Sequence, residues 1–290
     1  MESEFKNQGH LSKSETIVAV ANNPKIVLWV GDAPNQKALA SKMAARFTIA
    51  GIVLEKRRPA LRKKNLLALP SMVWDRLRFK RVYDSWTRLQ QYYDQHFSSW
   101  PDAAVLRVAD INDDKTREFT QQLKPDLVIV SGTALIKKKL LDTSASIGII
   151  NLHTGLSPYV KGGPNCTNWC IANNDWHLVG NTIMWLNAGI DSGNIITSEC
   201  VDIRDTDDLL EAQKKVMEHA HQLYVDAVGY LLNNAPPYNA VAQSSLGKGN
   251  LYLTKMWTAS VRKELLKNWA NRKNVRQLDK PVTVPLPFNK

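Results

Sequence analysis

The sequence has no apolar run of about 18 residues, the length a bilayer-crossing helix needs, so no transmembrane segment is expected. Its N-terminus, "MESEFKNQGHLSKSET", lacks the apolar core of a secretory signal, and residues 1–23 read as a disordered lead-in. Only three cysteines occur in 290 residues. That excludes a disulfide framework and favours a reducing, cytoplasmic setting. No internal repeat is present. G-x-G-x-x-G, G-x-x-x-x-G-K-[ST] and G-x-S-x-G are all missing, which removes the usual dinucleotide, phosphate-loop and hydrolase readings. Acids are scarce as well: 27 Asp and Glu stand against 38 Lys and Arg, for a net charge of +11. Such a balance favours anionic partners and says nothing about fold.

The positive charge is uneven. Eleven of the basic residues fall between Glu55 and Arg88, against three acids. The plain reading is a solvated helical face; the functional ones are a surface for a phosphate-bearing partner or for a membrane. At 44% hydrophobic residues the chain suffices for one large domain with a full core, or one domain and an appendage.

"KIVLWVGD" (25–32) is a continuous apolar run ending in Gly, as in a strand buried on both faces. "NQKALASKMAARF" (35–47) has helical spacing, and "TIAGIVLE" (48–55) returns to β-branched residues. This β-α-β order predicts a parallel sheet with a right-handed crossover. A basic, Trp- and Tyr-containing stretch at about 59–100 follows and reads as a helical insertion. "AAVLRVADI", "PDLVIVSG", "IGIIN", "LVGNTIMWLN" and "GNIITSECVDI" read as further strands. "NDDKTREFTQQLK", "LIKKKLLD", "NCTNWCIANN" and the long amphipathic stretch 205–234 read as helices. The expected fold is α/β: an open, mostly parallel twisted sheet with flanking helices, a helical insertion and a short C-terminal appendage. Residues 24–235 form the expected core domain, and 236–290 an extension ending in a Pro-rich tail.

Asn151 and His153 then lie at or just past the carboxyl end of a strand, the edge where open α/β sheets bind ligands. His is a candidate acid or base near neutral pH. An Asn amide is a donor for a developing oxyanion. "GIDSGN" places Asp191 between two glycines on a loop joining two strands, where its carboxylate can orient the His or raise its pKa. Acyl transfer to an amine needs these parts. The alternative is structural: Asn-x-His pairs are common, and Asp beside Gly often only forms a turn. The loop from Thr154 to Pro164 favours function, because Gly162, Gly163 and Pro164 shape backbone rather than fill a core.

Gly148-Ile149-Ile150-Asn151-Leu152-His153, then Leu156, Pro158, Gly162 and Pro164, then Ile171, Asn173, Gly180 and Thr182, and finally Asp191-Ser192-Gly193-Asn194-Ile195-Ile196 resemble the folate-dependent formyltransferase core. The resemblance runs from about Lys25 to Asn234 and is sharpest from Lys124 to Ser198. It implies N10-formyltetrahydrofolate as formyl donor, a primary amine as acceptor, and no metal. Asn151 and His153 would polarise the formyl group, and Asp191, through His153 or a water, would help deprotonate the amine. The folate would lie against Thr133, Ala134, Leu135, Ile136, Met184, Trp185, Gly189 and Ile190, and the acceptor against Lys161, Gly162, Gly163 and Pro164. Where several members carry Ser, this chain has Gly155, and where many carry Arg it has Lys161.

Other candidates read as structure. Cys166 and Cys170 have no second ligand pair for a metal, and His219 and His221 fall on the amphipathic helix. His177 is a weaker candidate for the acceptor site. Trp74, Trp86 and Trp100 either pack or stack on a base or sugar. Enzymes of this kind that formylate initiator methionyl-tRNA add a C-terminal barrel, and here about 55 Pro-interrupted residues follow Asn234. The expected acceptor is therefore a nucleotide-linked amino sugar for surface polysaccharide, with no obligate nucleic acid partner. Methionyl-tRNA, a hydroxyornithine-type or other small amine, and a non-catalytic nucleic-acid-binding role are the alternatives. "SVRKELLKNWANR" is a candidate homodimer contact.

Overall fold

The computed structural model describes residues 23–56, 69–163, 165–276 and 279–287. Expectations for the lead-in, for 57–68 of the basic stretch and for Pro164 lie outside them. The chain runs β1 (Ile26–Gly31), α1 (Pro34–Ala44), β2 (Ile49–Glu55), α2 (Leu69–Arg78), α3 (Lys80–His96), β3 (Ala104–Val108), α4 (Asp114–Leu123), β4 (Leu127–Ser131), α5 (Lys138–Leu141), β5 (Gly148–His153), β6 (Val160–Gly162) and α6 (Cys166–Ala172). It continues through β7 (Gly180–Trp185), β8 (Ile195–Cys200), α7 (Leu209–Asn233), α8 (Gln243–Leu246), β9 (Asn250–Tyr252) and α9 (Ala259–Ala270).

Seven strands form one sheet in the order β3-β2-β1-β4-β5-β7-β8. The first five are parallel, and β7 and β8 add antiparallel at one edge. The continuous apolar runs of β1 and β4 are explained by burial on both faces, since helices cover the sheet on each side. One face packs on α1 and α7 through Leu28, Ile129, Leu39 and Val228, all fully buried. The buried Tyr224 hydroxyl of α7 accepts from Val130 N at 2.9 Å and donates to Ile150 O at 2.9 Å. That pins β4 to β5 one residue before Asn151.

The helical stretch 69–96 is two helices rather than one, broken at Phe79, whose φ of −108° and ψ of 29° leave the helical region. Phe79 and Val82 are buried, and Leu89 and Tyr93 of α3 pack on Ala38 and Met217 of α1 and α7. The described residues beyond 240 return to the core. Strand β9 pairs in parallel with β6, helix α9 packs on α6, and Leu286 is buried in the main core. Arg262 of α9 donates to Asp75 of α2 at 2.7 Å, so the insertion and the extension also hold each other.

Candidate functional site

Strands β4 and β5 end side by side, and the segments leaving them enclose a cavity of about 440 Å³. Its walls include Thr133, Ala134, Leu135, Ile136, Asn151, His153, Gly162, Gly163, Met184, Trp185, Gly189, Ile190 and Asp191. The structure thus gathers nearly every residue singled out above into one place. Lys161 is the exception: it lies in β6 opposite Leu251 and does not line the cavity. His177 is also elsewhere, in a separate hollow of about 140 Å³ with Arg204 and Lys280.

Each wall has a local cause. The buried Glu55 carboxylate, at the end of β2, accepts from Ala134 N at 2.7 Å and Ile111 N at 3.0 Å. Asn112 accepts from Lys137 N and donates to Leu135 O. Together they fix the backbone of 133–137, leaving it to face the cavity. Asn151 stands opposite Met184 across the β5–β7 ladder, and His153 opposite Thr182. The Asn151 carboxamide makes no hydrogen bond among the described residues, which leaves a preorganised donor facing open space.

His153 is only 7% exposed. Its Nδ1 lies 3.3 Å from Asp191 Oδ2, and its Nε2 3.0 Å from Val160 O and 3.7 Å from Cys166 Sγ. Burial is the largest influence on the ring and disfavours its charge. The neighbouring Cys166 and Asp191, with the hydrogen bonds to Cys166 and Val160 O, outweigh it and push the pKa up to about 9. The ring is then an imidazolium at neutral pH, donating from both nitrogens. Both positions are engaged, so His153 has no nitrogen free to take a substrate proton. Asp191 Oδ2 also accepts from Gly162 N at 2.9 Å. Its other oxygen makes no hydrogen bond among the described residues and belongs to a residue lining the cavity.

Two features here were not anticipated from the sequence. Gln243, from the extension, donates at 2.8 Å to both Asp191 O and Gly193 O, which steadies Asp191 at its positive φ of 44°. Tyr252, Leu253 and Thr254 complete one wall. A strand as short as "NLY" carries no sign of its partner, and Gln243 is one polar residue among many. Cys166 was assigned to packing; it is buried, but it also touches the His153 ring. Gly155 accounts for the ring's seat, since a Cβ there would lie 2.3 Å from His153 Nε2. Among the described residues, no group of three or more His, Cys, Asp or Glu is placed to hold a metal ion. Trp86 is 41% and Trp74 67% exposed, whereas Trp100 packs on the core. His221 is buried between Lys42 and Tyr93, and His219 is held by Glu199 and Asn181.

A family model described as Formyl transferase matches residues 26–228. The chain belongs to that family. Within it, the methionyl-tRNA formyltransferase of Clostridium tetani is 31% identical over 133 residues, which is 45% of this chain and 42% of the relative. That of Methylacidiphilum infernorum is 27% identical over 205 residues, 70% of this chain and 56% of the relative. The chain thus spans less than two thirds of either relative. Among solved structures, glycinamide ribonucleotide transformylase 1 from Symbiobacterium toebii matches with a TM-score of 0.52 and 15% identity, covering 80% of this chain and 99% of that one. A sugar N-formyltransferase from a Shewanella species matches with a TM-score of 0.50 and 18% identity, covering 84% and 87%. At these identities the likeness is one of fold, and the formyl transferase core is what they share.

Proposed function

We propose that the chain transfers the formyl group of N10-formyltetrahydrofolate to the primary amine of a nucleotide-linked amino sugar. The observation that carries the reaction is the meeting of an unpartnered Asn151 carboxamide with a charged His153–Asp191 pair on one cavity wall. About 440 Å³ is a fitting size for a small-molecule site. The backbone of 133–136 and 189–190, with Met184 and Trp185, would hold the folate, a planar group against mixed apolar surface and peptide edges. Bound there, the folate supplies an activated formyl group.

This chain's residues then divide the work. The Asn151 amide donates to the formyl oxygen as negative charge builds there, with the positive field of His153 in support. The free Asp191 oxygen accepts the proton that the amine must lose. The amine nitrogen bonds to the formyl carbon while that carbon's bond to the donor nitrogen breaks, and a proton returns to the donor nitrogen. Val160 O and Gly162 N keep His153 and Asp191 in register, so neither must reorganise during transfer. Gly162 and Gly163, with Lys161 and Pro164 as their neighbours, would border the acceptor's path.

The acceptor rests on several supports. The net charge of +11 suits a diphosphate, aromatic residues stand exposed in the insertion, and the Shewanella structure covers 84% of this chain. Methionyl-tRNA is the second reading, favoured by the Clostridium and Methylacidiphilum relatives. The deciding assay follows tetrahydrofolate release from N10-formyltetrahydrofolate, with nucleotide-linked amino sugars, simple amines and charged initiator tRNA as acceptors. Release with one amino sugar is the expected result. Release only with tRNA overturns the acceptor, and silence with every amine overturns the reaction.

A further inference from the structure

The loop from β5 to α6 borders a second cavity, of about 550 Å³. His153, Gly162 and Gly163 line the first cavity, whereas Thr154, Asn165, Thr167 and Asn168 line the second, so the two share one stretch of backbone as a wall. The rest of the second cavity is built by elements that join the core from elsewhere: Arg76, Tyr83 and Trp86 from α2 and α3, Gln213 from α7, and Trp257 from just before α9.

The chemistry of this cavity is selective. Tyr83, Trp86 and Trp257 supply three aromatic rings around one space. Trp86 is 41% exposed and, among the described residues, lacks the ring partner that Trp257 finds in Trp169, at 4.9 Å. The Arg76 guanidinium stands exposed, 5.6 Å from the Tyr83 ring, with no ion pair among the described residues. The deep side is polar. Gln213 is 4% exposed and donates to Asn168 Oδ1 at 3.3 Å, while its own Oε1 has no partner among the described residues. A buried acceptor left unpaired is costly, and a site that keeps one is built for a donor that arrives from outside.

We infer that this cavity holds the nucleoside diphosphate end of the acceptor. It rests on the reading of the acceptor as a nucleotide-linked amino sugar. A planar base stacks among the aromatic rings, which is sequence-tolerant binding through a π-face. A base N–H, such as a pyrimidine imide, reaches Gln213 Oε1. The diphosphate meets Arg76, whose planar fork suits paired phosphate oxygens. The sugar then continues along Thr154, the residue next to His153, toward the formyl centre. The helical insertion thereby gains a role, since α2 and α3 supply the base and phosphate contacts.

The test is equilibrium binding of UDP and TDP to the full chain without folate, by calorimetry or tryptophan quenching, with inorganic pyrophosphate as competitor. Saturable binding at one site per chain is expected, with pyrophosphate competing at least tenfold more weakly, a gap of about 1.4 kcal/mol. Trp86→Ala, Arg76→Ala and Gln213→Leu should each weaken affinity about tenfold or more. The melting curves of the two surface variants, Trp86→Ala and Arg76→Ala, should match the parent and so rule out unfolding. Equal affinity in parent and variants overturns the assignment, as does no binding of either nucleotide or competition by pyrophosphate equal to that of UDP. Formyl transfer is read separately. If a nucleotide-linked amino sugar is formylated while the variants bind nucleotide normally, the cavity is wrong and the reaction stands. If no amine releases tetrahydrofolate, the reaction falls, and the variants still decide the cavity.

Discussion

Replacing Asp191 by Asn changes one atom type and removes one charge at the centre of the site. The amide oxygen keeps the bond from Gly162 N, so the fold is expected to survive. That same oxygen also faces His153 Nδ1, which keeps its proton as donor, and the amide NH2 takes the place of the free oxygen toward the cavity. The rise of His153 from 6.5 to about 9 amounts to about 3 kcal/mol of preference for the charged ring. Asp191 shares that with Cys166 and Val160, so its removal should cost on the order of 1–2 kcal/mol and let burial pull the pKa back toward neutrality. The ring loses its charge, and the amine loses its proton acceptor. Loss of a positioned general base alone lowers rate by about 10²–10⁴. The assay is kcat/KM for tetrahydrofolate release from pH 6 to 10. The parent should lose activity as pH rises through about 9, where His153 deprotonates. The variant should be at least about 100-fold slower, with that alkaline limb moved down. Turnover within tenfold of the parent, or a limb that stays in place, would refute the assigned roles.

Other variants probe the remaining parts. Asn151→Ala removes an amide with no bond among the described residues to lose, so kcat should fall by about 10²–10³ with an unchanged melting temperature. Gln243→Leu strips two carbonyls of their donor and should cost about 1–3 kcal/mol in denaturant unfolding, with weaker folate binding as the Asp191 turn loosens. Gly162 has a φ of 84°, and a Cβ there would lie 2.1 Å from Tyr252 O. Gly162→Ala should therefore part β6 from β9 and expose the 250s to proteolysis. His221 is driven down to about 3, first by burial and then by the charge of Lys42. Its folded pKa lies below the unfolded value, so the stability it contributes is present above about 6.5 and is lost as pH falls toward 3. His221→Phe should flatten that acid limb of the unfolding curve.

The parallel core was legible because its cause is local. Apolar runs such as "IVLWV" and "LVIVS" must be buried on both faces, and intervening helices supply the cover. Asn151 and His153 were legible as candidates for a related reason, since polar residues at the end of an apolar strand face the sheet's ligand edge, and Asp191 from its lone place between two glycines on a strand-joining loop. The helix break at Phe79 was not, because the residues on both sides favour helix and only the need to bury Phe79 and Val82 bends the chain. Nor were the partners of the extension, since three strand residues and one Gln take their meaning from contacts distant in sequence. His177 shows the converse, a polar residue before a strand that faces another hollow.

The sequence by itself determined which groups could do chemistry, since a donor amide, an imidazole and a carboxylate are fixed by residue type. The tertiary structure decided what each group is. The setting beside Cys166, Asp191 and Val160 O makes His153 a charged donor, and in the proposed reaction the second Asp191 oxygen is the proton acceptor. That division depends on distances of 3–4 Å between residues 7 to 38 positions apart, and charge is set by the local field rather than by the order of the chain.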